Sequence, residues 1–227
     1  MGKTFDSKGN LMTALTQFKA HLTPTLRETI QKFKSPFDVQ EYLLSLTYKA
    51  EARDRSPLNV MLDGQGHCLD GGFLAALLLW NLGFKPLLLD LRADPGMDDD
   101  HVLALYQLDG RWGAVAKSNY VNLGFREAVH KSTRELVMTY FEHYASVHQT
   151  KTLRFYTRPF YASRFALEDW GWNEDSADKL YKKFYGQKPI PLITKKMAAR
   201  LNPVTDRTYA AETLYTNLNE SFGNRDE

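Results

Sequence analysis

A chain of 227 residues with 43% hydrophobic and 25% charged residues is long enough to bury one well-filled globular core, so a single domain over residues 1–227 is the expectation. The net charge of +2 gives no global reason to expect nucleic acid or a membrane surface as partner; Lys and Arg crowd residues 150–200, but aromatic and acidic residues are mixed among them, as on a solvated face. One cysteine excludes an intramolecular disulfide and makes zinc an unexpected ligand.

The first seven residues lack the apolar stretch of a secretory signal, and the longest apolar run, residues 73–80, is too short to cross a bilayer, which makes a cytoplasmic location the expectation. Asp6 stands where a myristoylation signal needs Ser or Thr. Leu11, Leu15, Phe18, Leu22, Leu26 and Ile30 recur at roughly four-residue spacing and predict an amphipathic helix interrupted near Pro24. Ser35-Pro36 starts the next helix, whose stripe of Val39, Tyr42, Leu43, Leu46 and Tyr48 extends it to about Ala52, and residues 53–57 end it. A helix from Cys68 to about Leu82 is apolar on nearly every side and belongs in the core, with Gly83 at its exit.

Residues 87–91 read as a buried strand. A turn-rich loop, residues 92–100, leads into a strand opened by His101, and Asp109-Gly110 joins it as a hairpin to a strand over residues 111–116. Ser132-Thr133-Arg134-Glu135 has the form of a capping box, with Leu136, Val137, Tyr140, Phe141 and Tyr144 on one side of the helix it starts. Beyond it, residues 155–161 are aromatic and broken by Pro159, Trp170-Gly171-Trp172 is a turn, Ser176 to Tyr185 is a short helix closed by Gly186, and residues 223–227 are a frayed end.

The chemistry concentrates around Cys68. Free N–H groups and the positive end of the macrodipole at a helix start favour the thiolate, the reactive form of cysteine, and Gly64 and Gly66 allow a substrate close to the backbone. The helix start supplies N–H donors to an oxyanion, and Gln65 is a candidate side-chain donor as well. His101 is the candidate general base. His67 reads as a wall or capping residue, Asp70 as a first-turn carboxylate that holds the loop, and His21, His130, His143 and His148 lack companion spacing for a metal.

The order of these residues resembles the transglutaminase-like superfamily of cysteine enzymes. Gly66, Cys68 with Asp70 two places on, His101 at the head of a hairpin, Gly110, and Trp112 on the return strand fall where that pattern has them, over roughly residues 36–120. The resemblance implies an α+β fold with a papain/transglutaminase-like core: a nucleophile-bearing helix packed on an antiparallel sheet with flanking helices. Residues 130–227 would form a helical and irregular extension. Where the family carries the acid that orients the histidine, four residues after the tryptophan, this chain has Ala116. Ser118 shares the face of Ala116 by strand alternation, Asn119 follows at the strand end, and an asparagine is adequate for the role, so the expected catalytic set is Cys68, His101 and Asn119, with a Cys-His dyad as the alternative.

The function these features imply is cleavage or transfer of an amide-linked acyl group through a Cys68 thioester. Hydrolysis is favoured because water needs no second-substrate site. The partner is then a peptide or small amide, without cofactor, metal, nucleic acid or membrane; the sequence leaves the oligomeric state open. The competing expectation is a non-catalytic module that uses the same cleft to hold a peptide or partner, supported by the missing acid at Ala116.

Overall fold

The computed structural model describes residues 13–165 and 169–224; Leu11 and, of the stretch 223–227, the last three residues lie outside them. The chain opens with helices α1 (Ala14–His21), α2 (Pro24–Lys32) and α3 (Pro36–Ser45), then strand β1 (Thr47–Tyr48), α4 (Pro57–Asp63), β2 (Gln65–Gly66) and the central helix α5 (Cys68–Asn81). Strands β3 (Leu87–Ala93), β4 (His101–Leu108), β5 (Arg111–Val115) and β6 (Arg126–His130) follow, then α6 (Thr133–Phe141), β7 (Leu153–Tyr156), β8 (Phe160–Tyr161), α7 (Glu174–Tyr185), β9 (Ile190–Pro191), α8 (Lys195–Ala198) and α9 (Asp206–Glu212).

Local chemistry explains the helix starts. Thr23, Ser35 and Ser56 each accept a hydrogen bond from the backbone N–H three residues on, and each precedes a proline whose missing N–H costs nothing in the first turn. Asp38 completes a capping box at α3 by accepting from Ser35 N at 2.9 Å. The break expected near Pro24 is the junction of α1 and α2.

Two expectations in this region are corrected. The helix predicted to reach Ala52 stops at Ser45, because Leu46 turns extended and Thr47–Tyr48 pairs in parallel with Gln65–Gly66; the freed α3 carbonyls of Leu43 and Leu46 accept from the buried Lys117 ammonium. Ser56-Pro57, read as part of a terminator, starts α4 instead. Burial pulls the Lys117 amine down to about 8, and the two carbonyls satisfy it.

The main sheet runs β6-β5-β4-β3-β7-β9, with β8 also on β3, and its pairings are antiparallel. The β4–β5 hairpin closes where it was expected, through Asp109 (φ 49°) and Gly110 (φ 72°), two left-handed residues whose twist suits a two-residue turn. Strand alternation divides the core into two layers. Leu88, Val102, Ala104, Tyr106 and Val115 face α5 and the helices around it, while Leu87, Leu89, Leu91, Leu103, Leu105 and Ala114 face α6 through Leu136, Val137 and Tyr140. Helix α5, buried from Leu69 to Leu79, is covered by the sheet on one side and by α3 and α4 on the other, which is why it is apolar all round.

Close approach fixes its position. A Cβ on Gly71 would lie 2.2 Å from Lys117 Cβ, and one on Gly72 2.6 Å from Val102 Cγ1. Both substitutions to alanine force the helix off the sheet, so Gly71→Ala is expected to destabilise by about 1–3 kcal/mol, the usual cost of overpacking, read as a lower midpoint in denaturant. An unchanged midpoint would show that the helix-to-sheet distance is not held by these glycines.

Candidate active site

Cys68 is the first residue of α5 and half-buried. Strand β2 delivers it: the parallel pairing of Tyr48 with Gly66 brings β1 beside the helix start, so that Tyr48 borders the spaces on both sides of the sulfur. Asp70, fully buried in the first turn, accepts from Arg55 N at 2.8 Å and from His67 N at 3.4 Å, which ties the 53–56 loop to the helix as its sequence position implied. Burial lifts the Asp70 carboxyl to about 6 against the charge of His67 and these hydrogen bonds.

The sulfur sits between two spaces. On one side is an open cleft of about 980 Å³, walled by Tyr48, Asp54, His67, Arg92, Asp99 and Tyr185 among others. On the other is a cavity of about 40 Å³ shared with His101, Asn119, Leu123, Tyr144 and Ser221. That volume is enough for a single bridging water. The thiol itself donates to the carbonyl oxygen of Asp100 at 3.4 Å.

His101 opens β4 as expected and is buried. Its Nε2 lies 2.8 Å from the Leu123 carbonyl oxygen. A carbonyl only accepts, so Nε2 carries the proton and Nδ1 is the basic position. Burial holds the ring well below the ordinary histidine value, at about 4, with the Leu123 hydrogen bond acting the other way and Arg126 adding a smaller repulsion. His101 is therefore neutral at neutral pH, with its tautomer set by main chain.

Asn119 does not orient it. The Asn119 side-chain nitrogen donates to Asn217 O at 2.8 Å and Ser221 Oγ at 3.2 Å, and its oxygen accepts from Asn217 N at 3.1 Å, so the amide is occupied in holding the C-terminal segment. Ser118 is likewise turned aside, its hydroxyl accepting from Tyr120 N at 2.9 Å. The expected role falls to the Leu123 carbonyl, a backbone group with no side-chain signature in the sequence. The main chain of Ala116 is paired by the buried Gln40, which accepts from its N–H and donates to its carbonyl, both at 3.0 Å.

Gln65 is also displaced from its expected role, because it pairs with Thr47 in the small sheet and does not line the cleft. His67 stands at the N-cap of α5 and on the cleft wall, as its reading as a wall or capping residue implied; its carboxylate partners are what the sequence did not show. Its Nε2 lies 3.2 Å from Asp54 and 3.6 Å from Asp70. Burial alone would lower the ring; the hydrogen bonds to Asp54 and Cys68 and the charge of Asp70 outweigh it and push His67 up to about 10. It is an imidazolium across the neutral range. Asp54, His67 and Asp70 are also the one group among the described residues with the mutual spacing to hold a metal ion, but a protonated ring shared between two carboxylates has no lone pair to offer.

The loop before His101 is pinned rather than loose. Tyr144 donates to Asp99 O at 2.6 Å, Thr152 to Asp98 Oδ2 at 2.7 Å, and Ala93 N to Asp100 Oδ1 at 3.0 Å. On the far side the C-terminal segment closes the small cavity, with Glu220 accepting from Lys49 Nζ and Ala50 N, each at 2.7 Å.

No family model matches the sequence, and no curated protein matches it. Among solved structures, LapG of Legionella pneumophila matches with a TM-score of 0.42 and 12% identity, covering 77% of this chain and 95% of LapG. A structure of LapG treated with EGTA gives 0.41, again at 12% identity, over 76% and 98%. A protein described as a cysteine protease candidate from Cytophaga hutchinsonii gives 0.37 at 15% identity over 55% of this chain; the match spans about half, 49%, of that protein. These are likenesses of partial outline. No helix among the described residues is long and apolar enough to cross a membrane.

Two measurements test the geometry. Asn119→Ala should cost about 1–2 kcal/mol of stability and expose the C-terminal segment to limited proteolysis, as the loss of several part-buried hydrogen bonds implies; a tail as protected as in the wild type would return Asn119 to the role of orienter. The second concerns pH. The pKa of His101 is depressed on folding, so its contribution to stability is complete above its unfolded value of 6.5 and is lost as pH falls through about 4. Asp70, Asp90 and Asp98, raised by burial to about 6, 7 and 6, act oppositely, each contribution being complete below 3.8 and lost as pH rises through those values. His101→Gln should therefore gain stability relative to wild type as pH falls from 6.5 to 4, and parallel curves would contradict a buried neutral ring.

Proposed function

We propose that this protein is a cysteine enzyme that attacks amide carbonyls through Cys68 and releases the acyl group to water, a cysteine peptidase or amidase. The observation that carries the reading is the position of Cys68: a half-exposed thiol on the N-terminal turn of a buried helix, open to a substrate-sized cleft on one side and sharing a water-sized cavity with a neutral histidine on the other. In this scheme the Cys68 proton passes to His101 Nδ1 through one water, and the sulfur electron pair forms the bond to the carbonyl carbon. The π electrons move to oxygen, where N–H groups of the α5 start stabilise them. Collapse breaks the C–N bond, and the proton held by His101 goes to the leaving amine. Water then attacks the thioester, giving a proton to His101 that is returned to the departing sulfur.

The cleft wall carries Glu51, Asp54, Asp94, Asp98, Asp99 and Asp100, with Arg92 and the His67 imidazolium as its positive charges. A wall of this sign fits a substrate that is neutral or positively charged. The binding-module reading retains one specific support, that the thiol donates to Asp100 O and not to the His101 ring.

A vinyl-sulfone or acyl probe should label the wild type and fail with Cys68→Ala. His101→Ala should reduce turnover of a labelled peptide by about 10²–10⁴-fold, the range for loss of a general acid–base group. A wild type that resists every acyl probe while remaining folded would leave the binding module in front.

A further inference from the structure

We propose that residues 217–222 fill, in cis, a peptide subsite on the His101 side of the sulfur, where Asn119 reads one peptide unit and Lys49 with the Ala50 N–H takes a carboxylate; its ligand in trans is an acidic peptide segment. The inference rests on the cysteine-enzyme reading and adds a recognition surface to the same site.

The contacts are of a kind that any peptide can make. Asn217 is extended (φ −80°, ψ 95°), and both polar groups of its main chain meet one side chain: its N–H donates to Asn119 Oδ1 at 3.1 Å, and its carbonyl accepts from Asn119 Nδ2 at 2.8 Å. A side-chain amide paired in this way recognises backbone rather than residue identity. A 3₁₀ turn, Leu218–Glu220, then presents the Glu220 carboxylate, whose oxygens are taken separately, Oε1 by the Lys49 ammonium and Oε2 by the Ala50 N–H, each at 2.7 Å. An ammonium beside a backbone N–H is a receptor for a carboxylate. The buried Ser221 accepts from Asn119 Nδ2 at 3.2 Å and completes the seat.

Position makes the seat part of the candidate active site. Glu220, Ser221 and Phe222 border the small cavity that Cys68 shares with His101, and Ala50 also lines the open cleft on the other side of the sulfur. The seat is continuous with the cleft through residues 48–50, so a chain lying across the sulfur would run from one into the other. With residues 217–222 in place, the space beside His101 is about 40 Å³, room for a water and not for a leaving group. The two ends differ in sign, because carboxylates crowd the cleft wall while the seat offers Lys49. A peptide that is neutral or basic on the cleft side and acidic on the His101 side complements both. The occupant is also held in a way that permits exchange. Leu214, Tyr215 and Leu218 are 71%, 84% and 38% exposed, so these apolar side chains face solvent, and the hydrogen bonds of Asn217 and Glu220 are ones that a second peptide can replace.

The test uses the full chain and a fluorescein-labelled peptide of residues 213–224, with binding read by anisotropy. Glu220→Ala, which vacates the carboxylate receptor, should bind this peptide at least about tenfold more tightly than wild type, where the tethered segment competes at an effective concentration of about millimolar; tenfold is the scale of one charge-assisted hydrogen bond. The peptide carrying Glu220→Gln should bind the same variant at least about tenfold more weakly. Adding Asn119→Ala to Glu220→Ala leaves the seat open but removes the group that reads the backbone, and should cost a similar factor. In wild type, the N–H groups of Ala50 and Asn217 should exchange with solvent at denaturant concentrations too low to release the amides of α5, a readout that stands should the variants fail to fold.

Equal affinity of wild type and Glu220→Ala for the peptide, or binding indifferent to Asn119, would overturn the proposal. So would Ala50 and Asn217 amides that exchange only together with those of α5. Peptide binding that follows the expected pattern in a protein that no acyl probe labels would retain the subsite and remove the enzymatic reading.

Discussion

The approach of α5 to the sheet at Gly71 and Gly72 is the constraint on which the site depends. With no side chain at these two positions, the helix backbone settles against Lys117 and Val102, and its first turn projects past the end of β4. That offset places the Cys68 sulfur against the carbonyl of Asp100 instead of against the sheet face, with space on either side. A methyl group at either glycine would lift the turn and separate Cys68 from the loop that leads to His101. Gln40 and Lys117 secure the other partner in this contact, the strand end after β5, by binding the main chain of Ala116 and the C-terminal carbonyls of α3. Polar groups buried in this way are costly unless satisfied, so each also fixes register.

Electrostatics then differentiates two histidines of one sequence. His101 is enclosed by Leu123 and Tyr144, burial keeps it neutral, and the Arg126 charge acts in the same direction. His67 is almost as enclosed but meets two carboxylates, and attraction exceeds the desolvation cost. The same principle runs in opposite directions, because a desolvated ring adopts whichever charge its immediate partners support. The sulfur lies between the cleft that His67 lines and the small cavity that His101 shares.

The C-terminal segment has a share in the site that its position in the chain does not suggest. Asn217, Glu220 and Ser221 bind Asn119, Lys49 and Ala50, so the small cavity beside His101 is closed by residues about 120 positions downstream of it in the chain. This long-range closure is what occupies the Asn119 amide and keeps it from the His101 ring.

Much of the scaffold was determined by the sequence acting locally. Ser35-Pro36, the all-apolar run after Cys68, the Asp109-Gly110 turn and Ser132 each carry their own hydrogen-bonding or burial logic within a few residues, and each forms the element that logic requires. Cys68 at a helix start and His101 at a strand start belong to the same category. What tertiary structure decided were the partners. The end of α3 yielded to pairing of Thr47–Tyr48 with a segment eighteen residues on, and Gln65 was drawn into that pairing and is not among the residues that line the cleft. The Leu123 carbonyl took the place of a side-chain orienter, and main-chain acceptors leave no mark in residue identity. His67 gained its charge from Asp54, thirteen residues back across a helix and a loop. Hydrogen-bond and charge partners are fixed by distance in space, and a linear pattern specifies that distance only where the partners share a turn.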